Sequence, residues 1–258
     1  MDDLSTAAVV YRRRGTEAVS VVRDIDYGSG DPGLRMDVYR PLGQGPWPLV
    51  LFVHGDGDPE TLRGAKDWAQ YTGWGRLVAS CGMVGFTFSH RSWDRLTHIQ
   101  RKVSDVEAAI RFARTKGRSW GADPTRWGLW SGSAGVPVGL SAAMKLRATC
   151  AVAYYGPMDV RRWRDDPLAA DVSPMALLER GTAVPPLLVV RAGKDHEELN
   201  ESIDQFLNLA WEKDEPVELI DHPDGHHGFD VVDDDERSRE IVASTLAFLS
   251  RHLGASGG

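Results

Sequence analysis

Residues able to make a serine hydroxyl reactive are spread along this chain, each in a stretch of small or turn-forming residues. The densest stretch is Trp130-Ser131-Gly132-Ser133-Ala134-Gly135-Val136. An apolar run leads into it and a helical pattern follows, which places Ser133 at a sharp strand-to-helix turn. Neighbours two positions to either side of such a turn must be small for strand and helix to pass. Glycine is the usual residue on both sides; here Ser131 takes the first position and Gly135 the second. Pro137 falls in the first helical turn, where a missing N–H costs little. The Ala134 backbone N–H, at the helix start, would donate to a developing oxyanion.

A serine hydroxyl is a weak nucleophile until a base takes its proton. Histidines for that role lie in Asp221-His222-Pro223-Asp224-Gly225-His226-His227-Gly228-Phe229, between the last strand-like run and the terminal helix. An acid, Asp195, ends Arg191-Ala192-Gly193-Lys194-Asp195 just past another strand-like run. It would otherwise be a turn residue or a helix cap; Asp204 and Asp221 are weaker acids because neither directly follows a strand. A third apolar run ends in His54-Gly55-Asp56-Gly57, a turn that would supply a second oxyanion donor from the Asp56 N–H. The Asp56 carboxylate would oppose that charge, so it is expected to point away or to be held by local N–H groups. His54 reads as a residue hydrogen-bonded within its loop. A metal site at His226, His227, Asp224 and Asp230 is the competing reading. Adjacent loop histidines rarely both reach one ion, so no metal and no cofactor are expected.

Eight apolar runs of strand length, at 19–25, 36–39, 49–53, 83–88, 127–130, 150–155, 187–190 and 217–220, must position these residues. Helical-period stretches at 64–80, 99–116, 134–146, 199–212 and 236–252 separate the later ones. In the second of these, Val103, Val106, Ala109, Ile110 and Ala113 form a stripe, with Asp105, Glu107, Arg111 and Arg114 on the other face. The run Asp233-Asp234-Asp235-Glu236 marks a helix start. Alternation of this kind predicts an α/β fold: a mostly parallel eight-stranded sheet with helices on both faces. The first two runs, separated by a Gly- and Asp-rich turn, predict an antiparallel hairpin on its edge. The expected organisation is an N-terminal extension at 1–18, a single domain at 19–253 and a disordered tail at 254–258. A long excursion at 157–182 would form a pocket wall, and its shortness leaves no room for a large cap domain.

Composition limits the partners. The chain has 258 residues with 30 basic and 37 acidic side chains, a net charge of −7 that disfavours nucleic acid and anionic membrane surfaces. The clusters Arg12-Arg13-Arg14 and Arg161, Arg162, Arg164 read as solvated patches. With 27 glycines and 14 prolines the chain is well below low-complexity composition. Cys81 and Cys150 are either small core residues or one disulfide. No apolar run reaches about 18 residues and no signal segment is visible, so a cytoplasmic location is expected. Self-association into a homo-oligomer stays open.

Across about residues 20–253 the sequence resembles the α/β-hydrolase superfamily, in its small esterase and dienelactone-hydrolase-like branch. The resemblance rests on His54-Gly55-Asp56-Gly57, Trp130 through Gly135, Gly193-Lys194-Asp195, His227-Gly228-Phe229, and Ser173-Pro174 before Pro185-Pro186-Leu187. It implies the α/β-hydrolase fold and a Ser-Asp-His order, and it selects His227, immediately before Gly-Phe, over His226. Two departures stand out, Asp56 where many relatives carry glycine and Ser131 at the turn's first glycine. Similar esterases also tend to carry Tyr-Arg where this chain has His90-Arg91. A dienelactone hydrolase in the narrow sense would have cysteine at position 133, so Ser133 points to esters. The resulting expectation is a carboxylesterase acting on a small-molecule ester with a small or short-chain acyl group. Ser133, Asp195 and His227 would be catalytic, Asp56 and Ala134 would hold the oxyanion, and Trp93 and Trp163 would line the pocket. A peptidase or lactone hydrolase of the same fold, or a non-catalytic binding protein, are the alternatives. Because the base must be neutral, activity is expected to fall below about pH 6.

Overall fold

The computed structural model describes residues 5–92, 99–163 and 167–255, with only the backbone at 163 and 167. Among these, the strands are β1 (Ser20–Ile25), β2 (Met36–Arg40), β3 (Trp47–Val53), β4 (Val84–Phe88), β5 (Ala122–Gly132), β6 (Cys150–Tyr154), β7 (Leu187–Ala192) and β8 (Val217–His222). They form one sheet in the order β1-β2-β4-β3-β5-β6-β7-β8. The edge hairpin is present: β1 pairs antiparallel with β2, and β2 with β4. From β4 to β8 every pairing is parallel. The helices are α1 (Pro59–Leu62), α2 (Ala69–Ser80), α3 (Ile99–Lys116), α4 (Val136–Lys145), α5 (Pro167–Asp171), α6 (Pro174–Glu179), α7 (Glu197–Glu212), α8 (Phe229–Val232) and α9 (Glu236–Leu253). This is the α/β architecture that the alternating pattern predicts. No helix among the described residues is long and apolar enough to cross a membrane.

Strand period sorts the core into two layers. In β3, Leu49, Leu51 and Val53 pack with Val106 and Ile110 of α3, Leu140 of α4 and Phe206 of α7, while Val50 and Phe52 pack with Trp74 of α2 and Leu249 of α9. Every residue of β4 and β6 is buried, as parallel strands covered on both faces require. The edge strands β1 and β8 are largely exposed or half-buried.

Several boundaries differ from the sequence pattern. The stretch expected as one helix from 64 breaks into a 3-10 turn at Ala65–Asp67 and α2, whose Ala69 N–H is capped by the Ser5 carbonyl at 2.8 Å. The described part of the N-terminal segment therefore lies on the sheet's second layer: Val9 is buried there and the Val10 N–H donates to the Asp230 carbonyl. The tail does not begin at Gly254, which ends α9 in the left-handed conformation (φ 63°) with the Ala255 N–H on the Ser250 carbonyl. Asp105 is wholly buried rather than on the outer face of α3, because Arg91, in the turn after β4, clamps it through its backbone N–H and guanidinium. Arg161 is not a bare patch, since it pairs with both Asp159 and Glu179. Much of the 157–182 excursion is core: Met158, Val160, Leu177 and Leu178 join the first layer. Cys81 and Cys150 are both buried and free.

Candidate active site

Four strands deliver the site residues at their carboxyl ends, where a parallel sheet brings successive turns to one edge. Ser133 follows β5 directly and has φ +54°, a left-handed conformation that non-glycine residues avoid unless their surroundings impose it. The surroundings here are tight. A Cβ on Gly135 would lie 2.5 Å from the His54 carbonyl oxygen, and a Cβ on Gly55 would lie 3.2 Å from the Ser133 Cβ. The Ser131 departure is absorbed on the opposite helix. Its side chain is wholly buried, with Oγ 3.4 Å from the Val152 carbonyl, and it occupies space left by Gly139 of α4, where a Cβ would come within 2.9 Å.

Ser133, His227 and Asp195 are brought together. The Ser133 Oγ lies 2.8 Å from His227 Nε2, and His227 Nδ1 lies 2.6 Å from Asp195 Oδ2. With a carboxylate on Nδ1, that nitrogen carries the proton and Nε2 is left to accept from the hydroxyl. The second Asp195 oxygen accepts the His196 N–H, and the carboxylate is only 2% exposed beside a 38% exposed imidazole. The acid turn and the histidine loop are stitched together by Gly193 N–H to His222 O and Lys194 N–H to Gly225 O. That approach needs glycine at 193, since a Cβ there would lie 2.2 Å from the Pro223 carbonyl oxygen.

His226 faces elsewhere. Its Nδ1 lies 3.0 Å from Asp233, and His222 Nε2 lies 3.0 Å from Ser238 Oγ, so the loop histidines have separate partners. Asp230 is wholly buried and accepts from Tyr155 Oη (2.6 Å), Trp74 Nε1 (2.9 Å) and Gln70 Nε2 (3.0 Å), while burial holds its carboxyl above the usual range. Tyr155 itself has φ +35° and sets its ring 4.9 Å from that of His227.

Asp56 and Ala134 lie on the two turns that meet beside Ser133, and both are half-buried. Of the two expectations for the Asp56 carboxylate, tethering by local N–H groups is not met at Oδ1, which is buried with no hydrogen-bond partner. His54 is locked as a loop residue: its Nδ1–H donates to the Gly55 carbonyl at 2.8 Å and its Nε2 accepts the His90 N–H at 3.0 Å. Its ring stacks on His90 at 3.4 Å, and burial, with the nearby Lys102 charge, pulls its pKa down to about 3. Trp130 belongs to a buried cluster with Phe52, Trp74 and Tyr154. Trp93 and the Trp163 side chain, named as pocket residues, lie outside the described residues.

The sequence reading missed Lys102. It is fully buried on α3 and its Nζ donates to the Ala134 carbonyl at 3.0 Å. The one signal for it was its place on the apolar stripe, three residues after Ile99 and four before Val106.

No protein-family model matches the sequence, and no curated protein matches it. Solved structures do share the fold. An esterase B from Lactobacillus rhamnosis superposes with a TM-score of 0.75 at 16% identity, over 94% of this chain and 89% of that one. A bacterial heroin esterase gives 0.67 at 21%, over 91% and 84%. A thermophilic esterase from Thermogutta terrifontis gives 0.69 at 19%, over 90% and 95%. The chain thus has the α/β-hydrolase fold of these esterases.

Proposed function

We propose that this α/β-hydrolase-fold chain is a serine hydrolase that cleaves carboxylic esters of small or short-chain acids through a Ser-His-Asp triad. The observation that carries the reading is the continuous chain from Ser133 Oγ through His227 to Asp195, with Ser133 held at positive φ. In this reading Ser133 Oγ attacks the ester carbonyl carbon while His227 Nε2 takes its proton. The tetrahedral oxyanion is held by the N–H groups of Ala134 and Asp56, each worth about 3 kcal/mol where charge develops. Collapse expels the alcohol, which receives the proton from His227 and leaves an acyl-serine. Water then attacks the acyl carbon, giving its proton to the same nitrogen, and the carboxylic acid departs as Ser133 is reprotonated. Asp195 keeps the Nδ1 tautomer and stabilises the transient imidazolium. No step requires a metal or an organic cofactor.

The half-exposed His227 and the largely core-forming 157–182 excursion favour small, soluble esters over long acyl chains. The structures that share the fold are those of esterases, which agrees with ester hydrolysis. A panel of nitrophenyl esters from acetate to decanoate tests both parts. Acetate or butyrate should turn over fastest, and Ser133→Ala should lower kcat by about 10⁴-fold or more. Equal rates for wild type and S133A would overturn the reading, while fastest turnover of the decanoate would overturn the chain-length preference.

A further inference from the structure

A buried cation that the reaction scheme does not use acts on both residues assigned to the oxyanion. Lys102 is wholly buried, and its ammonium donates to the carbonyl of Ala134, one of the donor residues. The charge also acts on the other turn. Burial works against the ammonium and lowers the lysine pKa to about 8, while the Asp56 carboxylate favours the charged form. The same charge helps to hold the His54 and His90 rings neutral.

A mere tie between α3 and the Ala134 turn needs only a neutral donor. Burying an ammonium costs several kcal/mol unless an opposite charge and hydrogen bonds compensate it, and Asp56 is one charge that favours it. Its Oδ1 is buried and lacks a hydrogen-bond partner, and it belongs to the residue whose N–H would face the oxyanion. Left uncompensated, that carboxylate would raise the barrier that the N–H lowers.

We propose that Lys102 is a positioning residue of the oxyanion site: it anchors Ala134 through that residue's carbonyl and offsets the charge of the Asp56 carboxylate, so that both donors meet the developing charge unopposed. The proposal rests on the serine hydrolase reading above. It differs from a purely structural role in coupling Lys102 to Asp56 during turnover.

The test compares kcat and KM for nitrophenyl acetate in wild type, Lys102→Met, the double variant K102M/D56N and S133A, with folding checked by circular dichroism. K102M should lose about 10²-fold in kcat with KM within about threefold, the signature of an interaction made in the transition state. The double variant should recover about tenfold of that loss, because the stranded carboxylate is gone, yet stay below wild type. Wild-type kcat in K102M, or no recovery in the double variant, overturns the proposal. Where K102M alone does not fold, the double variant, which removes both charges, decides: kcat about tenfold or more below wild type with KM unchanged supports the role, and wild-type kcat overturns it. Inactive S133A beside fully active K102M would remove the Lys102 role while leaving ester hydrolysis standing; active S133A would remove the underlying reading itself.

Discussion

Ser131 shows how one side chain is accommodated by another two elements away. The turn that presents Ser133 wants a small residue at 131, and a serine fits because α4 offers a glycine at 139 opposite it. Gly139→Ala should therefore overpack this contact and destabilise by about 1–3 kcal/mol, and Ser131→Gly in the same chain should restore most of that loss. Urea unfolding of the two single variants and the double variant measures the coupling; strictly additive effects would contradict the packing account. Asp195 makes a sharper demand at the same scale. Asp195→Asn keeps the shape but offers an amide to His227 Nδ1, which favours the wrong tautomer, and kcat for an acetate ester should fall by about 10³–10⁴-fold. Ser133 and Asp195 were legible in the sequence because each follows an apolar run, whereas His227 stands beside His226 and was singled out only by the family resemblance. The compensation at Gly139 was not legible, since nothing in a helical pattern says which strand residue faces a given glycine.

Elements bring these residues to one edge. The turns after β3, β5, β7 and β8 each contribute, and the last two are joined by backbone hydrogen bonds that require the close approach at Gly193. Gly193→Ala would drive the acid turn away from Pro223 and lengthen the Asp195–His227 contact. A displacement near 1 Å can cost about 10²-fold, so kcat should fall at least tenfold while circular dichroism stays native; an unchanged kcat would show that the stitching does not set the geometry. The eight strands, their mostly parallel pairing and the edge hairpin were readable because apolar runs of strand length alternate with amphipathic stretches, whereas the order of the strands in the sheet was not. What stayed hidden were polar groups buried by distant partners. The helical period puts Asp105 on the outer face although Arg91 covers it, gives no sign of the acceptor that Lys102 finds on the turn after β5, and does not show that the donors to Asp230 come from α2 and the end of β6. A single-sequence period reports how much of a face is apolar, and it cannot show a charge buried by a loop from elsewhere.

The whole molecule carries the charge history of its core. His54 is neutral in the folded chain down to about pH 3, whereas an unfolded histidine takes up a proton below its ordinary value of 6.5. The unfolded state then binds more protons, so stability falls as pH drops from 6.5 toward 3, by at most about 1.4 kcal/mol per pH unit for this residue. His90, shifted in the same direction by burial and by His54 and Lys102, adds to the slope. Urea titrations at pH 6.5 and 5 should show a His54→Asn chain losing less stability on acidification than wild type, by about 1 kcal/mol per unit; parallel slopes would refute the buried neutral ring. The same layers that bury these rings hold Ser133 in its strained turn at the sheet edge, which is why one fold-wide arrangement and one reactive hydroxyl are a single claim. That claim is tested most directly by treating the native protein with a fluorophosphonate and reading the adduct by peptide mass spectrometry. One stoichiometric adduct is expected, on Ser133, absent from Ser133→Ala and from heat-unfolded protein. A folded wild-type chain that takes up no label, or takes it up on another residue, would contradict it.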